Sequence, residues 1–177
     1  MTLPFHTIGH SDRSLDAFLD LLDAAGIGLV ADVRKLPGSR AWPWFDGPAL
    51  APVLAARGIG YRHFPDLGGR RARVAGIDPA VNALWTSRSF HNYADHALGP
   101  AFRTALAALI AEGQVRRCAV MCAEAVWWRC HRRIIADHLI AAGLPVFHIL
   151  GPGLPQPAQL TEGAVLRDGT VTYPAGL

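Results

Sequence analysis

Lysine is almost missing from this chain: Lys35 is its single occurrence, and arginine carries nearly all of the positive charge. A base-composition bias toward arginine codons would produce this. So would a need for planar guanidinium groups, which grip phosphates and carboxylates with two hydrogen bonds at once. The formal net charge of +3 and pI near 9.1 are too small to define a nucleic-acid partner. Charged residues make up only 18% of the chain and no low-complexity run occurs, which excludes the composition of a disordered tail. No apolar stretch approaches the roughly 18 residues of a membrane-spanning helix. The opening Met1 to His6 has neither the basic start nor the apolar middle of a signal peptide. The expected address is cytoplasmic, with no membrane partner. Cysteine is scarce and odd in number, at Cys118, Cys122 and Cys130, so a disulfide framework is not expected. Reduced thiols available for chemistry or metal binding are.

What is present suits one folded unit. At 177 residues and 51% hydrophobic content the chain can bury a substantial core, and positions 1–177 read as a single α/β domain. Its core spans about 5–150 and a different, proline-rich tail occupies 151–177. Phe5 to Gly9 reads as a strand, and Ser14 as the N-cap of a helix through Phe18, Leu19 and Leu22 that stops at Gly26. Leu29 to Val33 is a second buried strand, followed by the Pro- and Gly-containing loop Arg34 to Trp44 and a helix over about 48–57. A third strand is expected at 59–64, an irregular stretch at 72–90, a helix opening at Pro100, a fourth strand at 117–122, a helix over 131–142 and a fifth strand at 145–150. Asp168-Gly169 between β-type runs predicts a hairpin over about 164–173. The fold class is therefore α/β: three layers, α/β/α, with a mainly parallel sheet of about five strands and a C-terminal β-hairpin.

Parallel sheets bind ligands beyond the carboxyl ends of their strands. His10, Asp32 with Arg34, Gly68, and Cys122 with Glu124 all follow strand ends, so a single polar cleft gathering His10, Asp32, Arg34, Arg40, Cys122, Glu124 and Cys130 is expected. The richest segment is Cys122 to Arg133, which leaves a strand and enters a helix. On one reading Cys122 is a nucleophile, its thiolate favoured by helix-start amides and by Arg132 or Arg133, with Glu124 moving a proton. On a second, Cys122, Cys130 and His131 are zinc ligands. The separation of the two cysteines is unlike a Cys-x2-Cys knuckle, and a helix would turn Cys130 and His131 about 100° apart. On a third the cysteines simply pack the core. Six residues separate Cys122 from Arg129, one more than in the phosphate loop of cysteine phosphatases, which disfavours that family.

Alternation places Asp32 and Arg34 on one face of their strand, as an ion pair fixing the loop or as substrate contacts. Ser39 and Arg40, in that loop, are free to meet a ligand. Gly68-Gly69-Arg70-Arg71 can offer amides and guanidiniums to a phosphate, or be a solvated turn. Trp42, Trp44, Trp127 and Trp128 either stack on a ring or pack the core. His63, His138 and His148 show no partner signal and read as structural.

Thr7-Ile8-Gly9-His10-Ser11, Asp32-Val33-Arg34, Pro37-x-Ser39-Arg40, Leu67-Gly68-Gly69 and Cys122-Ala123-Glu124 with Cys130-His131-Arg132 together resemble the domain of unknown function 488 family, over about residues 5–150. The resemblance implies the same α/β fold. It marks His10, Ser11, Asp32, Arg34, Ser39, Arg40, Gly68, Gly69, Cys122, Glu124, Cys130, His131 and Arg132 as motif positions, and implies no reaction or cofactor. Trp127-Trp128 departs from the more polar family pattern. The functional expectation is an enzyme acting on a phosphate-bearing small molecule, nucleotide or nucleic acid, with Cys122, Glu124, Asp32 and His10 as catalytic groups. Ser11, Arg34, Ser39, Arg40, Gly68, Gly69, Arg70, Cys130, His131 and Arg132 would bind the ligand. A non-catalytic nucleotide or nucleic-acid binding module, or a zinc protein using Cys122, Cys130 and His131, is the alternative.

Overall fold

The computed structural model describes residues 3–176. Strand β1 (Phe5–Gly9) leads to helix α1 (Leu15–Ala24), whose start is fixed by Ser14, its side chain accepting the Ala17 amide at 3.1 Å. Gly26, at φ +67°, ends that helix in the left-handed conformation open to glycine. Strand β2 (Leu29–Asp32), helix α2 (Gly47–Ala56) and strand β3 (Gly60–His63) follow, then helices α3 (Arg88–His96) and α4 (Pro100–Val115). Strand β4 (Cys118–Cys122), helix α5 (Arg132–Ala141) and strand β5 (Val146–Ile149) complete the alternating part.

The sheet runs β3-β2-β4-β1-β5 with every pair parallel, and a two-residue strand β6 (Gln156–Pro157) adds antiparallel to β5 at the edge. This is the expected mainly parallel α/β sheet, enlarged by one short strand that proline-rich sequence disguised. A proline can sit there because an edge strand leaves one row of amides unpaired. The hairpin is strands β7 (Val165–Arg167) and β8 (Thr170–Thr172), joined by Asp168 and Gly169, both at positive φ. Two consecutive left-handed residues are what a tight hairpin turn with the correct twist requires.

Strand alternation divides the core. Leu29, Ala31, Val33, Val120 and Cys122 face α3, α4 and α5, where Tyr93, Phe102 and Ile134 close the layer. Ile8, Val30, Ala119 and Met121 face α1 and α2, with Phe18, Phe45 and Leu50 beyond them. Each face is sealed independently, which is why the strands read as continuous apolar runs.

Helix α3 was not anticipated. Its buried side is made by Tyr93, Ala94 and Asp95, and Asn82 donates to Asp95 at 2.7 Å, so a polar contact does what an apolar stripe usually does. The tail returns over α5: Tyr173 donates its hydroxyl to Asp137 at 2.7 Å, and the Thr161 amide donates to the other Asp137 oxygen at 2.9 Å. Burial raises the Asp137 carboxyl above its ordinary value even though both of these donors favour the charged form.

Candidate functional site

The motif residues converge on one rim because β2, β4 and β1 are neighbours and end together, at Asp32, Cys122 and Gly9. Past the strand ends the ladder continues: His10 N donates to Cys122 O at 2.9 Å, Ser11 N to Ala123 O at 3.0 Å, and Val33 N to Met121 O at 2.9 Å. Gly9 is required by this approach, since a Cβ there would lie 1.8 Å from the Glu124 carbonyl oxygen.

The expected single cleft does not form. The register pairs Asp32 with Met121, so Cys122 points to the opposite face from Asp32. His10 stacks on Phe45, 4.4 Å between ring centres, in the layer of α1 and α2. The sulfur of Cys122 belongs to the layer of α5. The rim therefore carries two clusters with the sheet between them.

On the α1/α2 face Arg34 is paired bidentately with Asp32: Nε donates to Oδ1 at 2.9 Å and Nη2 to Oδ2 at 2.7 Å. Tyr61 donates its hydroxyl to the same carboxylate, and Arg34 Nη1 lies 3.4 Å from His10 Nε2. His10 Nδ1 faces the Ser11 carbonyl at 3.0 Å, so the proton sits on Nδ1 and Nε2 accepts from Arg34. Burial, then Arg34, hold His10 below its ordinary pKa. Asp32, Arg34 and His10 are all buried, which makes this a satisfied internal ion pair and corrects the expectation of Arg34 as an external anion holder.

On the α5 face Cys122 and Cys130 are free thiols with their sulfurs 2.7 Å apart. Cys130 precedes α5, and its sulfur accepts the Arg132 amide at 3.5 Å. His131 directs Nε2 to the Val33 carbonyl at 2.8 Å and Nδ1 to the Cys130 sulfur at 3.5 Å. Its Nε2 thus carries the proton, and Nδ1 is an acceptor facing a thiol. Arg132 is fully buried; its guanidinium donates to the Glu124 and Ala125 carbonyls at 2.8 and 3.0 Å and to Thr7 Oγ1 at 3.4 Å, while its Nε has no partner. Among the described residues no carboxylate lies within ion-pair distance of it. Arg132 is likewise committed inward rather than an external anion holder.

These surroundings split the two thiols. Burial pushes the Cys122 thiol well up, and the neighbouring Cys130 adds to this. Burial also opposes ionisation of Cys130, but the Cys122 hydrogen bond, the Arg132 charge and the Arg132 amide outweigh it and hold Cys130 below the ordinary thiol value. Burial thus disfavours a thiolate at Cys122, and the Cys122 and Arg132 contacts favour one at Cys130.

Glu124 reaches the site through its carbonyl, which takes the Cys122 thiol at 3.6 Å as well as Arg132; its residue is exposed. Ser11 is half-buried with a left-handed φ of 47°. Ser39 Oγ accepts the Trp42 amide at 3.0 Å, and Arg40 beside it is exposed. Gly68 and Gly69 are buried. A Cβ on Gly69 would meet the His131 ring at 2.9 Å and one on Gly68 the Lys35 backbone at 2.8 Å, so Gly69 serves close packing against the thiol cluster and Gly68 against the loop after β2. Arg70 is exposed at φ 58°, and Arg73, Arg88 and Asn92 line a cleft on the same side. Asn92 donates to the Arg71 carbonyl at 3.1 Å, tying α3 to that loop. Trp42 and Trp44 pack on the α1/α2 layer, and Trp127 stacks on His148 at 4.5 Å. No group of three or more His, Cys, Asp or Glu side chains is arranged for a metal ion among the described residues.

Sequence reading missed Thr7, Tyr61, Tyr93 and His148. Thr7 donates to His148 Nδ1 at 2.6 Å while accepting from Arg132, and Tyr93 packs its ring 5.1 Å from His131 and donates to the Leu67 carbonyl. Thr7 lay inside a quoted motif; the other three stand in strands or helices with no local mark of a partner.

A mainly parallel α/β sheet whose strand ends carry a buried ion pair on one face and a buried thiol pair on the other defines the class of this protein. The family model described as Domain of unknown function DUF488 matches residues 14–139, more than two thirds of the chain, and the chain belongs to that family. No curated protein and no solved structure matches it. No helix is long and apolar enough to cross a membrane among the described residues.

Proposed function

We propose that this chain is a cysteine-dependent enzyme of the cytoplasm in which Cys130 is the reactive thiolate, acting on a phosphate-bearing small molecule, nucleotide or nucleic-acid end. The observation that carries this reading is Arg132. A guanidinium removed from water without a counter-ion is costly, and the Cys130 thiol, whose sulfur already accepts the Arg132 amide, is able to become that counter-ion. Ionising Cys130 gives the buried cation its partner, and the start of α5 adds favourable amide dipoles.

His131 Nδ1 faces Cys130, but burial holds its imidazole below the ordinary pKa, so it orients the thiol while the proton passes to solvent. Cys122 keeps its own proton and, once Cys130 ionises, turns it from the Glu124 carbonyl to the thiolate. With Arg34 and Arg132 committed internally, the anion-binding role passes to exposed arginines, Arg70, Arg73 and Arg88, at the loop and α3 edge whose inner side, at Gly69 and Tyr93, packs on His131. Both cysteines are nearly closed off, Cys122 at 2% and Cys130 at 5% exposure, so a substrate of this size requires the 123–129 loop to lift.

Alkylation of the native chain by iodoacetamide across pH tests the reading, with peptide mapping to assign the modified cysteine. Cys130 should modify first, with an inflection below the ordinary thiol range, and Arg132→Lys should raise that inflection. Turnover of a phospho-metabolite and nucleotide panel should vanish in Cys130→Ser. An ordinary inflection at Cys130 with no turnover would overturn the reading and leave a non-catalytic binder with packed cysteines.

A further inference from the structure

We propose that Cys122 is the resolving partner of Cys130, and that the pair reduces a hydroperoxide and closes to a reversible disulfide. The proposal rests on the thiolate reading of Cys130 and adds a second activity at the same place. Its basis is the juxtaposition itself. Cys122 at the end of β4 and Cys130 at the entry to α5 bring their sulfurs to 2.7 Å, so bonding at the ~2.05 Å of a disulfide requires only a small further approach. Seven residues separate them, and since the sulfurs already touch, closure needs no change in how the Arg132, Ser11 and His148 contacts hold that segment.

Burial selects the oxidant. With the 123–129 loop closed, Cys122 and Cys130 are only 2% and 5% exposed, which favours the smallest oxidants, such as hydrogen peroxide, over larger electrophiles that wait on the loop lifting. The Cys130 thiolate attacks one peroxide oxygen, the O–O bond breaks, and the departing alkoxide or hydroxide takes a proton from solvent, leaving Cys130 as a sulfenic acid. The Cys122 sulfur then attacks the Cys130 sulfur; the S–S bond forms, the S–O bond breaks, and the hydroxyl leaves as water with the Cys122 proton. Two thiols are oxidised by two electrons and one peroxide is reduced by two. Cys122, with its thiol pushed up, is the protonated donor before the reaction and the nucleophile only after Cys130 has lost its charge.

The same environment makes the bond reversible. A disulfide removes the anion that Arg132 faces and leaves a buried guanidinium with neutral carbonyl and hydroxyl partners, so the reduced form is favoured and the disulfide is readily reduced. Cys118 is an internal control: it lies at the far end of β4, its thiol pushed up to about 12 by burial and Glu112.

The experiment is treatment of the native full-length chain with one equivalent of hydrogen peroxide, followed by intact mass and peptide mapping. The expected result is loss of two hydrogens, a Cys122–Cys130 linked peptide, unmodified Cys118, and full recovery with dithiothreitol. Cys122→Ser should consume peroxide at the same rate yet stop at the sulfenic acid and over-oxidise in excess, and Cys130→Ser should consume it at least about tenfold more slowly, since rate follows thiolate fraction. Cys130 sulfinic acid forming in the native chain while Cys122 stays alkylatable would overturn the proposal. That result with a low Cys130 inflection leaves the nucleophile reading standing, and a disulfide formed with an ordinary inflection would remove the nucleophile reading alone.

Discussion

Asp32 holds Arg34 through both of its carboxylate oxygens, at 2.9 and 2.7 Å, with Asp32 fully buried and Arg34 6% exposed. A pair this deep is expensive to break one-sidedly, because the survivor is a charge without solvent. The Tyr61 hydroxyl and the Arg34 amide, at 3.0 Å from Oδ1, are the donors that would remain to Asp32. Arg34→Met should therefore destabilise the protein by about 3–5 kcal/mol in urea unfolding. The double variant Asp32→Leu with Arg34→Met should recover a large part of that loss, as replacing both charges removes the desolvation cost. A double variant no better than the single would show that the pair is not what holds this corner.

Gly9 and Gly69 both abut the thiol cluster, but against different kinds of neighbour. A Cβ at Gly9 runs into the Glu124 backbone, 1.8 Å from the oxygen and 2.5 Å from the carbon, so the loop carrying both thiols has to move. Gly9→Ala should cost about 1–3 kcal/mol, as overpacking does, and speed alkylation of Cys122 and Cys130. At Gly69 the obstacle is the His131 ring, which can turn aside only by giving up its 2.8 Å contact with the Val33 carbonyl. Gly69→Ala should lower the unfolding midpoint less than Gly9→Ala, because a side chain and not backbone must move, and should slow Cys130 alkylation near neutral pH. Equal effects of the two on stability would refute the distinction between backbone and side-chain obstruction.

Histidines shape the acid limb of stability. His6, His138 and His148 are buried, and desolvation, followed in each case by a nearby arginine, lowers each from 6.5 to about 4. A histidine whose folded pKa is depressed leaves the unfolded chain binding more protons between those two values. Stability is then fully present above about 6.5 and is lost as pH falls toward about 4. Each contributes a slope of up to roughly 1.4 kcal/mol per pH unit inside that window. Asp137, raised by burial, works in the opposite direction at the lower end of the range. Urea midpoints measured from pH 7 to 4 should fall steadily, and His148→Gln, which keeps an acceptor for Thr7, should remove one histidine's share. A flat series would contradict the buried neutral state.

Most of the fold was readable because its signals are local. Ser14 at a helix start, Gly26 and Gly143 at helix ends and Asp168-Gly169 at the hairpin each act within a few residues, and the buried strands announce themselves as apolar runs. Helix α3 escaped because Asp95 and Asn82 satisfy each other where an apolar face would have given a period. The positions of the site were legible for the same reason that strand ends in a parallel sheet are: His10, Asp32 and Cys122 each follow an apolar run. Their division into two clusters was not. Alternation shows that Asp32 and Arg34 share a face, but whether Cys122 joins them depends on the pairing of Asp32 with Met121, and inter-strand register is a long-range property. Nor could sequence rank the two cysteines, since the ranking comes from Arg132 folding back over the carbonyls of Glu124 and Ala125.

The parallel strands act as a bulkhead between two compartments. The Asp32–Arg34 corner lies across the sheet from the sulfurs, so damage there weakens the molecule without touching its thiols. A variant at that corner can be brittle with fully active thiols, whereas a change such as Gly9→Ala, which reaches the segment between the cysteines, moves both traits at once.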